Sequence, residues 1–186
     1  LVLEMGMNHF NEIDLLSNIA KPDYAIITNI GESHIEYLGS REGITKAKLE
    51  IVNGLSDTGT LIIDGDETLL KSQNTFPRMM KCGFSLDNDV VISKITILVD
   101  RTTFTLEDGD TYHIPLLGQH HAKNAAYAIA LGRLLRIEED HIKQGLSSLE
   151  LTGMRFELLE GKNKSVIIND AYNASPTSMK ATIEVV

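Results

Sequence analysis

The stretch Thr28-Asn-Ile-Gly-Glu-Ser-His-Ile-Glu-Tyr-Leu-Gly-Ser-Arg-Glu-Gly-Ile-Thr-Lys-Ala-Lys-Leu-Glu-Ile51 decides how this chain is read. Just before it lies an apolar run, so that residues 24–30 read as a buried strand. A Gly- and Ser-containing loop follows. From Arg41 to Gly54 the apolar positions Ile44, Ala47, Leu49 and Ile51 recur at helical spacing, with Ser40 placed to cap the helix. A strand, a polar loop and a helix form one α/β unit. In open α/β sheets the loop at the carboxyl end of the strand is where ligands bind.

Working outward, Leu1–Met5 reads as another buried strand ending at Gly6, and Ile13–Ala20 as a short helix stopped by Pro22 and Asp23. Downstream, Thr60–Asp64 is a strand closed by a Gly-Asp-Glu turn, Glu67–Gln73 a short helix and Met79–Phe84 a strand. Residues 90–115 alternate in polarity, are rich in β-branched residues and break at Asp-Arg and Asp-Gly, the pattern of antiparallel hairpins. Helices resume at His121–Leu135 and Glu138–Leu149. Leu151-Thr-Gly-Met154 is the best domain boundary. Beyond it come strands at Arg155–Glu160 and Ser165–Asn169, joined by Gly-Lys-Asn-Lys, and a helix from Thr177. The expected class is α/β: a mostly parallel sheet with helices plus antiparallel hairpins over residues 1–153, and the start of a second α/β unit over 154–186.

The 186 residues carry a formal charge of −9, which repels phosphate backbones and argues against nucleic-acid binding. A nucleotide held through a metal ion is compatible with it. No apolar run is long enough to span a membrane, no secretory signal is visible, and the one cysteine, Cys82, suits a reducing cytoplasm. Cys82 reads as a small buried residue rather than a nucleophile. The chain opens inside a strand-like segment and stops inside a helix-like one, as an internal piece of a longer protein would. It holds neither a GxxxxGK[ST] phosphate loop nor a GxGxxG.

Four places carry chemistry. Glu4 stands at the end of the first apolar segment and His34 in the loop after the second. Each is either a strand-end group reaching solvent or, if the strands are neighbours, half of a crevice that shares a divalent ion with phosphate oxygens. Magnesium ordinarily takes an all-oxygen shell, and the histidine would suit manganese as well. Lys46 and Lys48 lie two apart on the following helix and point in different directions; either is a solvated lysine or a site residue. Gly118-Gln-His-His-Ala-Lys-Asn124 opens an Ala-rich helix, with Asn124 in its first turn, where the amide meets either a base or the backbone. Arg155 suits a phosphate, and Asp170, after a strand, suits ribose hydroxyls.

Five motifs occur in order: EMGMNHFNEI, TNIGESHIEYLGS, KAKLEI, GQHHAKN and INDAYNASPTS. Together they resemble the Mur ligases over essentially the whole chain. The resemblance implies that residues 1–153 are the later part of the central ATPase domain, without its phosphate loop, and that 154–186 begin a Rossmann-like C-terminal domain. It implies ATP and Mg2+ as cofactors, Mn2+ being an alternative ion, with Glu4 and His34 as metal ligands. Lys48, not Lys46, matches the lysine that the family carbamylates, and with His34 it forms the catalytic pair. Asn124 matches an adenine-side asparagine, Arg155 and Asp170 match phosphate and ribose contacts, and Asn29 precedes the histidine loop.

DAYNASP, and EMG with its following Glu12-Ile13, point within the family to the activity that joins D-alanyl-D-alanine to UDP-N-acetylmuramoyl-tripeptide. In that reaction the tripeptide carboxylate attacks the γ-phosphate, and the dipeptide amine then displaces phosphate from the acyl phosphate. The resemblance further implies a cytoplasmic monomer engaged in peptidoglycan precursor synthesis, and an isolated fragment without activity. The alternatives are another ligase of the superfamily, amino-acid-adding or folylpolyglutamate-forming, and a non-catalytic binding module that keeps the fold. Two positions depart from the family pattern. His121 stands where an asparagine is usual, and Asn11 where a glycine is common.

Overall fold

The computed structural model describes residues 1–73, 76, 78–150, 157–172, 179, 180, 182 and 183. Strands β1 (Tyr24–Ile27), β2 (Thr60–Asp64), β3 (Met79–Gly83), β4 (Val90–Ile97), β5 (Thr102–Leu106) and β6 (Thr111–Ile114) form one sheet in sequence order. The first four run parallel, and the last two add as antiparallel hairpins. Helix α1 (Glu12–Ala20) precedes β1, and α2 (Ile35–Leu38), α3 (Arg41–Leu49) and α4 (Thr68–Lys71) lie between the parallel strands. Helices α5 (Gln119–Leu134) and α6 (Glu139–Ser147) follow the sheet. Strands β7 (Glu157–Glu160) and β8 (Val166–Asn169) pair antiparallel in a separate two-stranded sheet. Among the described residues no helix is long and apolar enough to cross a membrane.

β2 shows why the sheet is central. Leu61, Ile62 and Ile63 are all buried, and the period-2 alternation of a strand sends them to opposite faces. Ile62 joins the core built by β3–β6 with the Ala-rich face of α5 and with Ile142 and Leu146 of α6. Leu61 and Ile63 join the core of α1, β1, α3 and α4, where Ile44 and Ala47 of α3 supply the predicted helical face. Cys82 is wholly buried, and burial pushes its thiol pKa up to about 12, as expected of an inert core cysteine.

Most boundaries fall within a turn of the sequence expectation. The predicted 41–54 helix is α to Leu49 and then a 3-10 turn, Glu50–Gly54, and Ser40 caps it by accepting from the Gly43 N–H at 3.1 Å. The predicted strand at Leu1–Met5 is corrected. It makes no ladder, and Leu1, Val2 and Leu3 are exposed. A strand exists only through a neighbour's hydrogen bonds, and among the described strands β1 is paired on one side only, by β2. The predicted boundary at residues 151–154 and most of the predicted helix from Thr177 lie outside the described residues.

Asn11 explains one departure from the family pattern. It begins α1 in the left-handed region, at φ 70° and ψ 0°, which glycine adopts freely and asparagine tolerates best among the other residues. Its N–H donates to both carboxylate oxygens of Glu50, at 2.9 and 2.8 Å. Asn11→Gly is therefore expected to leave stability nearly unchanged. Asn11→Val, with a branched Cβ in that conformation, is expected to lower it by roughly 1–2 kcal/mol in urea unfolding.

Candidate active site at the carboxyl edge of the sheet

The parallel strands β1, β2 and β3 end on the same edge, so the segments after them gather there. The segment after β1 contains Thr28, Asn29 and Ile30. The Asp64-Gly-Asp66 turn ends β2, and Phe84-Ser85 follows β3. A helix from each side of the sheet reaches this edge: α3 through Lys48 and Arg41, α5 through Lys123 and Tyr127.

Lys48 is half-buried in the last turn of α3, and its Nζ donates to the Asn29 carbonyl at 2.9 Å. Burial lowers its pKa, so its neutral amine forms more readily than that of a free lysine. Lys46 is exposed and lies instead over the Phe10 ring, 5.7 Å from its centre. His34 is exposed and N-caps α2 from a left-handed backbone, φ 65° and ψ 15°. Such a conformation in a non-glycine residue marks a loop held in place by its surroundings.

Glu4 is exposed in the unpaired opening segment. Among the described residues neither its side chain nor that of His34 is engaged in a hydrogen bond or ion pair. No cluster of three or more His, Cys, Asp and Glu side chains able to hold a metal occurs among those residues. A site built from one carboxylate, one imidazole, phosphate oxygens and a modified lysine would not form such a cluster.

The residues expected to face a nucleotide separate in the structure. Helix α5 begins at Gln119 after Gly118, whose φ of 115° makes the sharp entry and whose N–H donates to the buried Thr102 hydroxyl at 3.1 Å. Asn124 thus lies in the second turn, not the first as the sequence suggested, and it is exposed. The early start reflects this buried anchor, which helical spacing alone does not reveal. Asp170 follows β8 and accepts from the Thr182 hydroxyl. It is close enough to His120, at the start of α5, to work electrostatically against the burial that lowers the His120 pKa. His121 stacks on His120, with ring centres 4.1 Å apart. Arg155 lies outside the described residues.

Sequence reasoning missed the ion cluster beside Asn124. Lys123 Nζ lies 2.9 and 3.1 Å from the two Asp64 carboxylate oxygens and 3.0 Å from Asp66. Burial alone would raise the Asp66 pKa. The Phe84 and Ser85 N–H groups, with Lys123, hold it instead well below the usual carboxylate range. Burial opposes the charge on Lys123, and its two aspartates outweigh that and raise its pKa. The available signal is the position of Asp64 and Asp66 at a strand's carboxyl end, where the GDE turn by itself reads only as a stop.

These shifts set a pH window. A depressed folded pKa gives Asp66 a stabilising role that is complete above the unfolded value of about 3.9 and is lost as pH falls through the lower folded value. The raised Lys123 pKa gives a contribution complete below its unfolded value of about 10.4 and lost only at still higher pH. Asp66→Asn should therefore lower Tm by a constant amount from about pH 5 to about pH 9, the difference closing in acid. Thermal melts across that range check it.

A mostly parallel sheet that gathers a loop-borne histidine, a desolvated lysine and the start of α5 near one edge has the layout of an α/β ligand-binding domain. The chain belongs to the Mur ligase middle-domain family, whose model matches residues 1–132. It is 51% identical, over 98% of its length, to the UDP-N-acetylmuramoyl-tripeptide–D-alanyl-D-alanine ligase of Bacillus subtilis. It is 31% identical to that of Escherichia coli, over 99% of its length. It spans 40% and 42% of those two relatives. Among solved structures, MurF from Acinetobacter baumannii superposes with a TM-score of 0.87 at 31% identity, over 99% of this chain and 41% of that one. MurF ligase from Thermotoga maritima, in complex with ADP, gives 0.88 at 28% identity, over 100% and 44%.

Proposed function

We propose that this chain is the central part of an ATP-dependent ligase that joins D-alanyl-D-alanine to UDP-N-acetylmuramoyl-tripeptide through an acyl phosphate, in the cytoplasm. The observation that carries the reading is Lys48. It is half-buried, its pKa is lowered, and it is directed at the Asn29 carbonyl in the loop that leads to His34. The names of the relatives supply the substrates, and the ADP complex of the Thermotoga structure supports the nucleotide.

The uncommitted Glu4 carboxylate and His34 imidazole suit a magnesium or manganese ion. Bound there, such an ion would supply charge screening for the transferred phosphoryl group. The neutral Lys48 amine can add to carbon dioxide with loss of one proton, which turns a cation into a carbamate anion. Nζ keeps one hydrogen in that form, so its bond to the Asn29 carbonyl can persist and orient the carbamate. Asn124 would face the adenine, Asp170 the ribose and Arg155 a phosphate. Residues 154–186 would begin the C-terminal domain that closes over ATP. The separate β7–β8 sheet supports that division.

The test is ADP release by the full-length protein carrying this chain, given ATP, Mg2+ and UDP-N-acetylmuramoyl-tripeptide. D-alanyl-D-alanine should stimulate release, and single amino acids should not. Absence of stimulation by the dipeptide refutes the assignment.

A further inference from the structure

Three consecutive carbonyls after β1 each accept from a side chain. Thr28 O accepts from the Tyr127 hydroxyl of α5 at 2.9 Å, Asn29 O from Lys48 of α3 at 2.9 Å, and Ile30 O from the Arg41 guanidinium of α3 at 3.0 Å. β1 and its ladder to β2 end at Ile27, so none of these carbonyls has a sheet partner. Their segment leads directly to His34. Two helices from different layers thus hold it, and α5 is the helix that carries Asn124.

The two flanking anchors are held in different ways, Tyr127 by burial and Arg41, whose side chain is 43% exposed, by a second ion-paired partner. Tyr127 is 2% exposed, and its ring belongs to the core on the α5 side of the sheet, so the hydroxyl is delivered from a rigid body. Arg41 is the first residue of α3, and its guanidinium is also tied to Glu67, whose side chain is 13% exposed. Glu67 in turn caps α4 by accepting from the Leu69 N–H at 3.2 Å. The Arg41 head is therefore fixed from two sides, with one of its N–H groups aimed at the loop.

We propose that Tyr127 and Arg41 are positioning residues for the Asn29–His34 loop. They act through its backbone, with no contact to substrate, and keep His34 and the Asn29 carbonyl in register with Lys48. Because Tyr127 and Asn124 share α5, the Tyr127–Thr28 bond also fixes the nucleotide-side helix against the metal-side loop. The proposal rests on the ligase reading above for its catalytic consequence, but the anchoring is independent of it.

The experiment uses the full-length protein with Tyr127→Phe, Arg41→Met and Arg41→Lys, and combines three readouts. In hydrogen–deuterium exchange, Tyr127→Phe should speed exchange of the amides of residues 29–36 by roughly fivefold, the loss of one neutral hydrogen bond. Arg41→Met should speed it by roughly tenfold or more, a charged donor being stronger. Amides of β2 and β5 should not change. Mn2+ affinity, followed by electron paramagnetic resonance without substrates, should weaken several-fold in both. In turnover, the half-saturating Mg2+ concentration should rise while KM for D-alanyl-D-alanine stays constant, and Arg41→Lys should recover part of each effect. Unchanged exchange of the loop overturns the proposal, and so does a uniform rise across the domain. A loosened loop with unaltered Mn2+ and Mg2+ dependence overturns the positioning role. If the wild-type protein shows no dipeptide-stimulated ADP release, the ligase reading fails, and the exchange and Mn2+ results still decide the anchoring.

Discussion

Lys48→Ala in the full-length protein is expected to lower kcat for dipeptide-stimulated ADP release by about 10²–10³, the usual loss when a preorganised charge at a reacting centre is removed. Lys46→Ala, two residues away on a different side of the helix, should stay within about twofold of wild type, because exposed helix positions away from a site tolerate change. The contrast follows from burial. Lys48 sits half-buried at the sheet edge, where burial disfavours the charged ammonium and favours the neutral amine that the proposed carbamylation requires. Lys46 projects into solvent beside Phe10. Lys48→Arg should be as inactive as the alanine variant, since a guanidinium stays protonated and forms no carbamate. Steady-state rates of the three variants check this, with thermal melts confirming that each folds. Wild-type-like turnover by Lys48→Ala would remove the lysine from the mechanism.

Gly54→Ala is expected to be among the most destabilising single-methyl additions in the molecule, by about 3 kcal/mol, the upper end for overpacking. A Cβ there would stand 2.1 Å from both the carbonyl carbon and oxygen of Ser17, and 2.6 Å from the Asn18 nitrogen. These are backbone atoms of α1, which cannot rotate aside as a side-chain tip can. The same seam is tied further by the Asn53 amide donating to Asp14 at 2.6 Å and by the buried Ser17 hydroxyl, which donates to the Glu50 carbonyl at 3.4 Å. α1 would have to move away from the turn that continues α3, disturbing the end of the helix that carries Lys48. Gly145→Ala is the control. It lies in α6 with nothing within 4 Å of a new Cβ, and it should stabilise by roughly 0.5–1 kcal/mol through helix propensity. Urea unfolding of both variants measures the difference. An unchanged midpoint for Gly54→Ala would mean that α1 is not seated on that turn.

Local pattern was enough for much of the frame. The apolar run at 24–30, the Ser40 cap and the spacing of Ile44 and Ala47 point to β1 and α3, although β1 itself ends at Ile27. Alternation with Asp-Gly turns specifies the hairpins of β4–β6, because these features depend only on neighbours in the chain. The order of five motifs carried the family. It points to Lys48 over Lys46, and Lys48 is the more buried of the two.

What depends on distant partners was not legible. Leu1–Met5 has the composition of a strand, but strand formation requires a paired edge, which composition does not report. The start of α5, and with it the turn occupied by Asn124, depends on the Gly118 N–H finding Thr102 inside the core. The Lys123–Asp64 pair joins residues 59 apart, and the Tyr127–Thr28 bond residues 99 apart. The sequence by itself determined which chemically capable side chains follow β1 in the chain. Only the tertiary structure decided how the loop bearing them is held, because its three carbonyls find their donors on helices that the parallel sheet brings to one edge.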